Sequence, residues 1–185
     1  MICTTLNKIR DHGPCEDGWR KLLKHLGKTE SDNEPLPLLT ILDSNGLDDC
    51  LWCCTRAVPE HDSEWRLLAV KYARQVQYLM TDPRSINALD VAERFVNGEA
   101  TAEELKAAQT AAQDAEREAE REAEQDVTQA TEWYSWDVAR VAALAARSAA
   151  EAAAAAGNTT WDAAWTSART AQEAELRRIL TGEMK

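Results

Sequence analysis

Positive charge is in short supply in this chain. It has 21 lysines and arginines against 32 aspartates and glutamates, a formal net charge of −11. Such a protein repels phosphate backbones, which argues against direct nucleic-acid binding and favours basic protein partners. Long hydrophobic runs are missing too. No stretch of about 18 apolar residues occurs, and Met1 to Arg10 lacks a basic region followed by an apolar one, so neither a membrane span nor a leader is expected and the reading is cytoplasmic. Sustained alternation of apolar and polar residues is absent, which removes the main signal for β-strands. The odd count of five cysteines, with Cys50, Cys53 and Cys54 crowded into one segment, describes no disulfide framework, and reduced thiols are expected.

What the chain has in abundance is alanine and acid. Of the 15 residues from Ala142 to Ala156, 11 are alanine. Residues 99 to 132 hold 11 acidic and 3 basic side chains, so this stretch carries −8 of the total charge. Between Ala102 and Ala156 there is no glycine or proline. An unbroken helix of those 55 residues would be about 82 Å long, whereas a compact globule of this size has a radius of gyration of only about 16 Å. The segment therefore projects as an arm or folds back as a hairpin. The hairpin is preferred, with its break near Val127 to Thr131, where β-branched residues weaken local helix preference.

Punctuation and periodicity predict helices elsewhere. Thr5 to Arg10 and Pro14 to Leu26 form a pair, separated and closed by Gly13, Pro14 and Gly27. Pro37 to Ser44 is a short helix stopped by Asn45 and Gly46 as a left-handed cap pair, and Asp48 and Asp49 open the next helix at its positive end. From Ser63 to Met80, Trp65, Leu68, Tyr72, Val76 and Leu79 recur at spacings of three and four and share a core-facing side. Asp82 before Pro83 starts a helix that buries Ile86, Leu89, Val91, Ala92, Phe95 and Val96, ending at Asn97 and Gly98. Thr101 with Glu104 matches a capping box, and Thr160 caps a final helix after Gly157 and Asn158. Alanine buries little area, so Trp133, Trp136, Trp161 and Trp165 are expected to anchor the alanine-rich helices. A faint echo between Trp136 to Arg140 and Trp165 to Arg169 reads first as composition and second as a shared ligand surface, since two copies do not make a solenoid.

Chemistry has few places to reside. Cys50, Cys53 and Cys54 share a helical face and could offer thiolates to a soft metal, but Cys3, Cys15, His12 and His25 supply no paired spacing to complete a site. Cys53 or Cys54 as a nucleophile, with His12, His25 or His61 as base and Asp48 or Asp49 to orient it, needs groups that nothing in the sequence brings together. Asp43 to Asp48 starts like a calcium loop, but its glycine stands at the fourth position instead of the sixth. No catalytic, metal or cofactor-binding residues are expected. The tract Asp114 to Glu124 is either a solvated face, braced by pairs such as Asp114 with Arg117 and Glu118 with Arg121, or a recognition surface carried by Glu116, Glu118, Glu120, Glu122 and Glu124.

Three phrases carry a family resemblance: Asn45-Gly46-Leu47-Asp48-Asp49, the stretch from Met80-Thr81-Asp82-Pro83-Arg84-Ser85-Ile86 to Val96-Asn97-Gly98, and Trp161-Asp162-Ala163-Ala164-Trp165. Together they resemble a family of alanine-rich immunity proteins found in bacterial and phage genomes. The resemblance implies an intracellular antagonist that binds a toxin or a defence effector, with no catalytic residues. The chain departs from that texture at Cys50 and Cys54 and in the stronger acidity of Glu116 to Glu124.

The expectation is thus an all-α protein: a helical globule over residues 1–98, then an alanine-rich acidic hairpin or arm over 99–185, the two standing apart or packed as one domain. It acts by binding a basic effector, such as a toxin, a nuclease or a CRISPR-type complex, and needs no cofactor, membrane or nucleic acid. The competing reading is a scaffold whose alanine faces pack helices of neighbouring subunits in a homo-oligomer.

Overall fold

Local capping chemistry, more than any long-range pattern, sets where the helices of this all-α chain begin and end. The computed structural model describes residues 1–122, 138–157 and 159–183. A two-residue antiparallel ladder joins β1 (Cys3–Thr4) to β2 (Leu36–Pro37), with Cys3 opposite Pro37 and Thr4 opposite Leu36. Nine helices follow or flank it among the described residues: α1 (Leu6–Asp11), α2 (Glu16–Leu26), α3 (Leu38–Asn45), α4 (Leu47–Ala57), α5 (Asp62–Arg74), α6 (Pro83–Val96), α7 (Ala102–Glu122), α8 (Val138–Ala155) and α9 (Trp161–Thr181). The expected break at Val127 to Thr131 lies outside the described residues, as do Trp133 and Trp136. No helix among the described residues is long and apolar enough to cross a membrane.

The chain divides into two compact units, Met1–Trp65 with Arg169–Lys185, and Arg66–Ala168. In the first, α2 packs on α3, α3 on α4, and α1 on α4. Its core holds Leu6, Ile9, Leu22, Leu38, Ile41, Leu42, Leu51 and Val58, with Leu176, Ile179 and Leu180 from α9. Gly46 serves two helices at once. Its N–H closes α3 onto Leu42 O at 3.0 Å, and its carbonyl accepts from the Cys50 N–H of α4. The backbone there has φ 98° and ψ −177°, a positive-φ conformation that favours glycine, so the expected left-handed pair at Asn45 and Gly46 is replaced by a helical Asn45 and one glycine hinge. Two arginines of α9 hold it electrostatically to this unit: Arg169 pairs with Asp48, and Arg177 reaches Asp43 at 2.7 Å and Glu173 at 2.8 Å.

The second unit is built on the antiparallel return of α6 into α7. Asp82 caps α6 by accepting from the Arg84 N–H at 2.7 Å, and Pro83 occupies the first turn, where its missing N–H costs nothing. The capping box forms as both of its bonds: the Thr101 N–H donates to Glu104 Oε2 at 2.7 Å and the Glu104 N–H to Thr101 Oγ1 at 3.1 Å. Val70, Ala88, Val91, Ala92, Leu105, Ala108 and Ala112 make one core between α5, α6 and α7, with Phe95 against it. Packing thus runs straight across the change in composition near residue 98. Ile86, Leu89 and Val96 are only partly buried. In α8, Val141, Ala142, Ala145, Ala146 and Ala150 are buried at helical spacing, while Ala143, Arg147 and Glu151 face solvent.

The helix expected to run from Ser63 to Met80 is shorter. Trp65, Leu68, Tyr72 and Val76 are buried as the periodicity predicts, but the Gln75 N–H is shared between Lys71 O and Tyr72 O, and the Val76 N–H bonds Ala73 O. Hydrogen bonding has tightened to three-residue spacing, and Gln77–Leu79 is a 3-10 turn. That change of pitch rotates Leu79 off the core-facing side, leaving it 38% exposed beside Tyr78 at 69%.

Candidate partner-binding surface

The acidic surface rests on α7, whose buried side is a narrow stripe of small residues. Leu105, Ala108, Ala112 and Ala115 recur at three- and four-residue spacing and are buried, while Glu103, Lys106, Ala107, Thr110, Asp114, Arg117 and Glu118 face solvent. Five glutamates at every second position cannot share one face of such a helix, because two residues turn it by about 200°. Glu118 is exposed, whereas the side chains of Glu116, Glu120 and Glu122 lie outside the described residues. Glu124 lies outside the described residues.

Glu118 is anchored to α6. Arg84 grips Asp82 through Nε at 3.1 Å and Nη2 at 2.9 Å, and the same Nη2 reaches Glu118 at 2.7 Å. The Asp82 and Glu118 carboxylates, in that order of effect, raise the Arg84 guanidinium above its ordinary value, and Arg84 in turn holds Asp82 below the usual carboxylate range. This partner of Glu118 is 34 residues upstream and ties α7 to the start of α6; the expected pair of Glu118 with Arg121 falls on a side chain outside the described residues. The expected pair of Asp114 with Arg117 forms at 2.9 Å. On the opposite flank of α6, Arg74 binds Asp90 and Glu93, each at 2.7 Å, and donates to Gln77 at 2.7 Å, bracing the 3-10 turn.

The cysteines are placed for packing. Cys50, Cys53 and Cys54 are 0%, 4% and 0% exposed, and the Cys50 thiol donates to Leu38 O at 3.4 Å. Burial raises the Cys53 thiol far above its ordinary value, reinforced by Cys50 and Asp49, and burial followed by the Cys50 hydrogen bond does the same for Cys54. A thiol in that state is neither a nucleophile nor a ready metal ligand at neutral pH. No group of three or more potential ligands converges among the described residues. His12 and His25 are exposed, and His61 is engaged by Glu64 at 3.0 Å. Cys15 does what no thiol pattern signals: its sulfur accepts from the Gly18 N–H at 3.3 Å and caps α2.

Of the tryptophans expected to fill buried ends, Trp161 is 41% exposed and Trp165 is half-buried. Their rings stack at 5.2 Å with planes 13° apart, one turn apart on α9. The exposure has a simple cause. Thr160 caps the helix, its hydroxyl accepting from the Ala163 N–H at 3.3 Å, which makes Trp161 the first helical residue and leaves no preceding turn to cover it.

Comparison with protein-family models, with curated proteins and with solved structures finds no match to this chain.

Proposed function

We propose that this protein is a non-enzymatic inhibitor that binds a basic effector, a toxin or a nucleic-acid-handling defence complex, through the acidic surface of α7. The observation that carries the reading is the net −8 gathered in residues 99 to 132, with Glu103, Glu104, Asp114 and Glu118 held in solvent by a capped and packed helix. A basic channel that normally holds nucleic acid attracts such a helix for the same electrostatic reason that it attracts phosphate. The family likeness of Asn45 to Asp49, Met80 to Gly98 and Trp161 to Trp165 points the same way, and the buried, protonated thiols at Cys53 and Cys54 support a role without catalysis. Affinity capture from a bacterial lysate, with mass spectrometry of the bound proteins, tests it. The expected result is a basic protein retained by the native chain and lost when Glu116, Glu118, Glu120, Glu122 and Glu124 are replaced by glutamine; a partner retained equally by both contradicts the reading.

The second reading is an oligomerising scaffold. It is favoured by a shallow open strip along α7 lined by Glu103, Lys106, Ala107, Thr110, Ala111 and Asp114, where small residues one turn apart would let another helix approach. Sedimentation equilibrium decides it, since a scaffold self-associates at micromolar concentration and the inhibitor stays monomeric.

A further inference from the structure

Four large apolar side chains are markedly exposed among the described residues, and two of them, Tyr78 at 69% and Leu79 at 38%, are neighbours in the 3-10 turn ahead of α6. The turn is held in shape. The Leu79 N–H bonds Val76 O at 2.9 Å, the Met80 N–H bonds Gln77 O at 2.9 Å, and Arg74 fixes the Gln77 side chain. A braced turn that keeps a tyrosine and a leucine in water gives up burial that the flanking core could have used. Tyrosine in such a position is a preferred interface anchor, because its large ring has few rotamers to immobilise.

Its surroundings specify the occupant. Tyr78 stands four residues before Asp82, so the chain itself keeps the two within about 14 Å. Asp82 is gripped by Arg84, and Arg84 is bonded to Glu118, which brings the acidic end of α7 to the same end of the second unit as the apolar tip. Arg84, the cation between them, is already shared by two carboxylates. What is offered to a partner is an apolar tip with an acidic margin.

From this juxtaposition we infer that Tyr78 and Leu79 are the apolar anchor of the acidic surface, and that the segment they receive is a basic amphipathic stretch of a protein, apolar residues flanked by lysine or arginine. The inference rests on the acidic-surface reading and adds its location and its hydrophobic half. An all-basic partner without apolar residues needs no such tip, and an apolar partner without basic charge gains nothing from Glu118.

The test uses three synthetic helical peptides of equal length with the full chain: one of leucine and lysine, one with the leucines changed to serine, and one with the lysines changed to glutamate. Amide chemical shifts in the labelled protein report where each binds. The leucine-lysine peptide is expected to shift residues 77–84 and the neighbourhood of Glu118 together. The double substitution Tyr78→Ser with Leu79→Ser should weaken it by at least about tenfold, as truncating an interface anchor does, with the helical circular dichroism unchanged. Glu118→Gln should weaken it less and reduce its salt dependence. If the serine-lysine peptide binds as tightly as the leucine-lysine one and ignores the Tyr78 and Leu79 changes, the acidic surface stands and the anchor is refuted. If neither lysine peptide shifts α7 or the turn, or if the glutamate peptide binds equally, both readings fall.

Discussion

Replacing Ala112 with leucine puts the α6–α7 contact under direct strain. Ala112 is 0% exposed, and the residues sharing its core include Ala88, Ala92 and Ala108 at 6%, 1% and 6%. Helices that meet through alanine approach closely, and a filled contact has no room for three more carbons. Were there room, their burial would stabilise the fold by about 2 kcal/mol. Because there is none, the helices must part or the leucine must leave its rotamer, at a cost of about 1–3 kcal/mol. Alanine and leucine differ little in helix propensity, so the sign reports packing alone. In urea, a loss of that size lowers the unfolding midpoint by about 1 M for a slope of about 2 kcal/mol per M. Ala107→Leu, five residues earlier in α7 and on the solvent side, is the control and should stay within about 0.5 kcal/mol of the native chain. Equal effects at the two positions, or a gain at Ala112, would refute the close contact of α6 with α7.

Thr101→Ala removes one of the two capping-box bonds and should lower stability by about 1 kcal/mol in urea unfolding, with Thr101→Ser largely neutral. The buried thiols make stability fall in alkali. Their folded values lie above the ordinary 9.0, so the stabilisation is whole below that value and is lost as pH rises past it, when only the unfolded chain ionises, at ~1 kcal/mol per pH unit for each thiol. A chain carrying Cys53→Ala and Cys54→Ala should therefore show a shallower decline between about pH 8 and about pH 10 than the native one, measured by denaturant midpoints. Trp165→Ala should cost more than Trp161→Ala, because Trp161 is the more exposed. A double-mutant cycle on the pair should return a coupling of about 0.5–1.5 kcal/mol, and zero coupling would deny the stack any energetic role.

Much of the fold was legible because it is set within a few residues. Asp82 with Pro83, Thr101 with Glu104, Thr160, and Gly27 at φ 63° all act where their local chemistry places them. Legibility failed where the determinant is distant or shorter than a pattern. The pairing of Cys3–Thr4 with Leu36–Pro37 is two residues long and shows no alternation to find. Arg169 meets Asp48 across 121 residues, and Glu118 meets Arg84 across 34, because packing brings these partners together where sequence spacing does not. Leu79 follows the apolar period faithfully and is still exposed, since the pitch of the chain changes three residues earlier. The acidic tract was legible as charge. The every-second spacing of its glutamates, which matches the period of a strand and cannot share one face of a helix, was equally there to be read.

The kinetics of association test the central claim most directly. Stopped-flow mixing of the captured basic partner with the native chain, and with the variant carrying Glu116, Glu118, Glu120, Glu122 and Glu124 as glutamine, should give an association rate at low salt at least about tenfold slower for the variant. The native rate should fall toward that of the variant as salt is added, since at ~0.15 M the reach of exposed charge is already cut to about 8 Å. The same association rate and the same salt dependence for both chains would contradict the account and make the tract a solvated face.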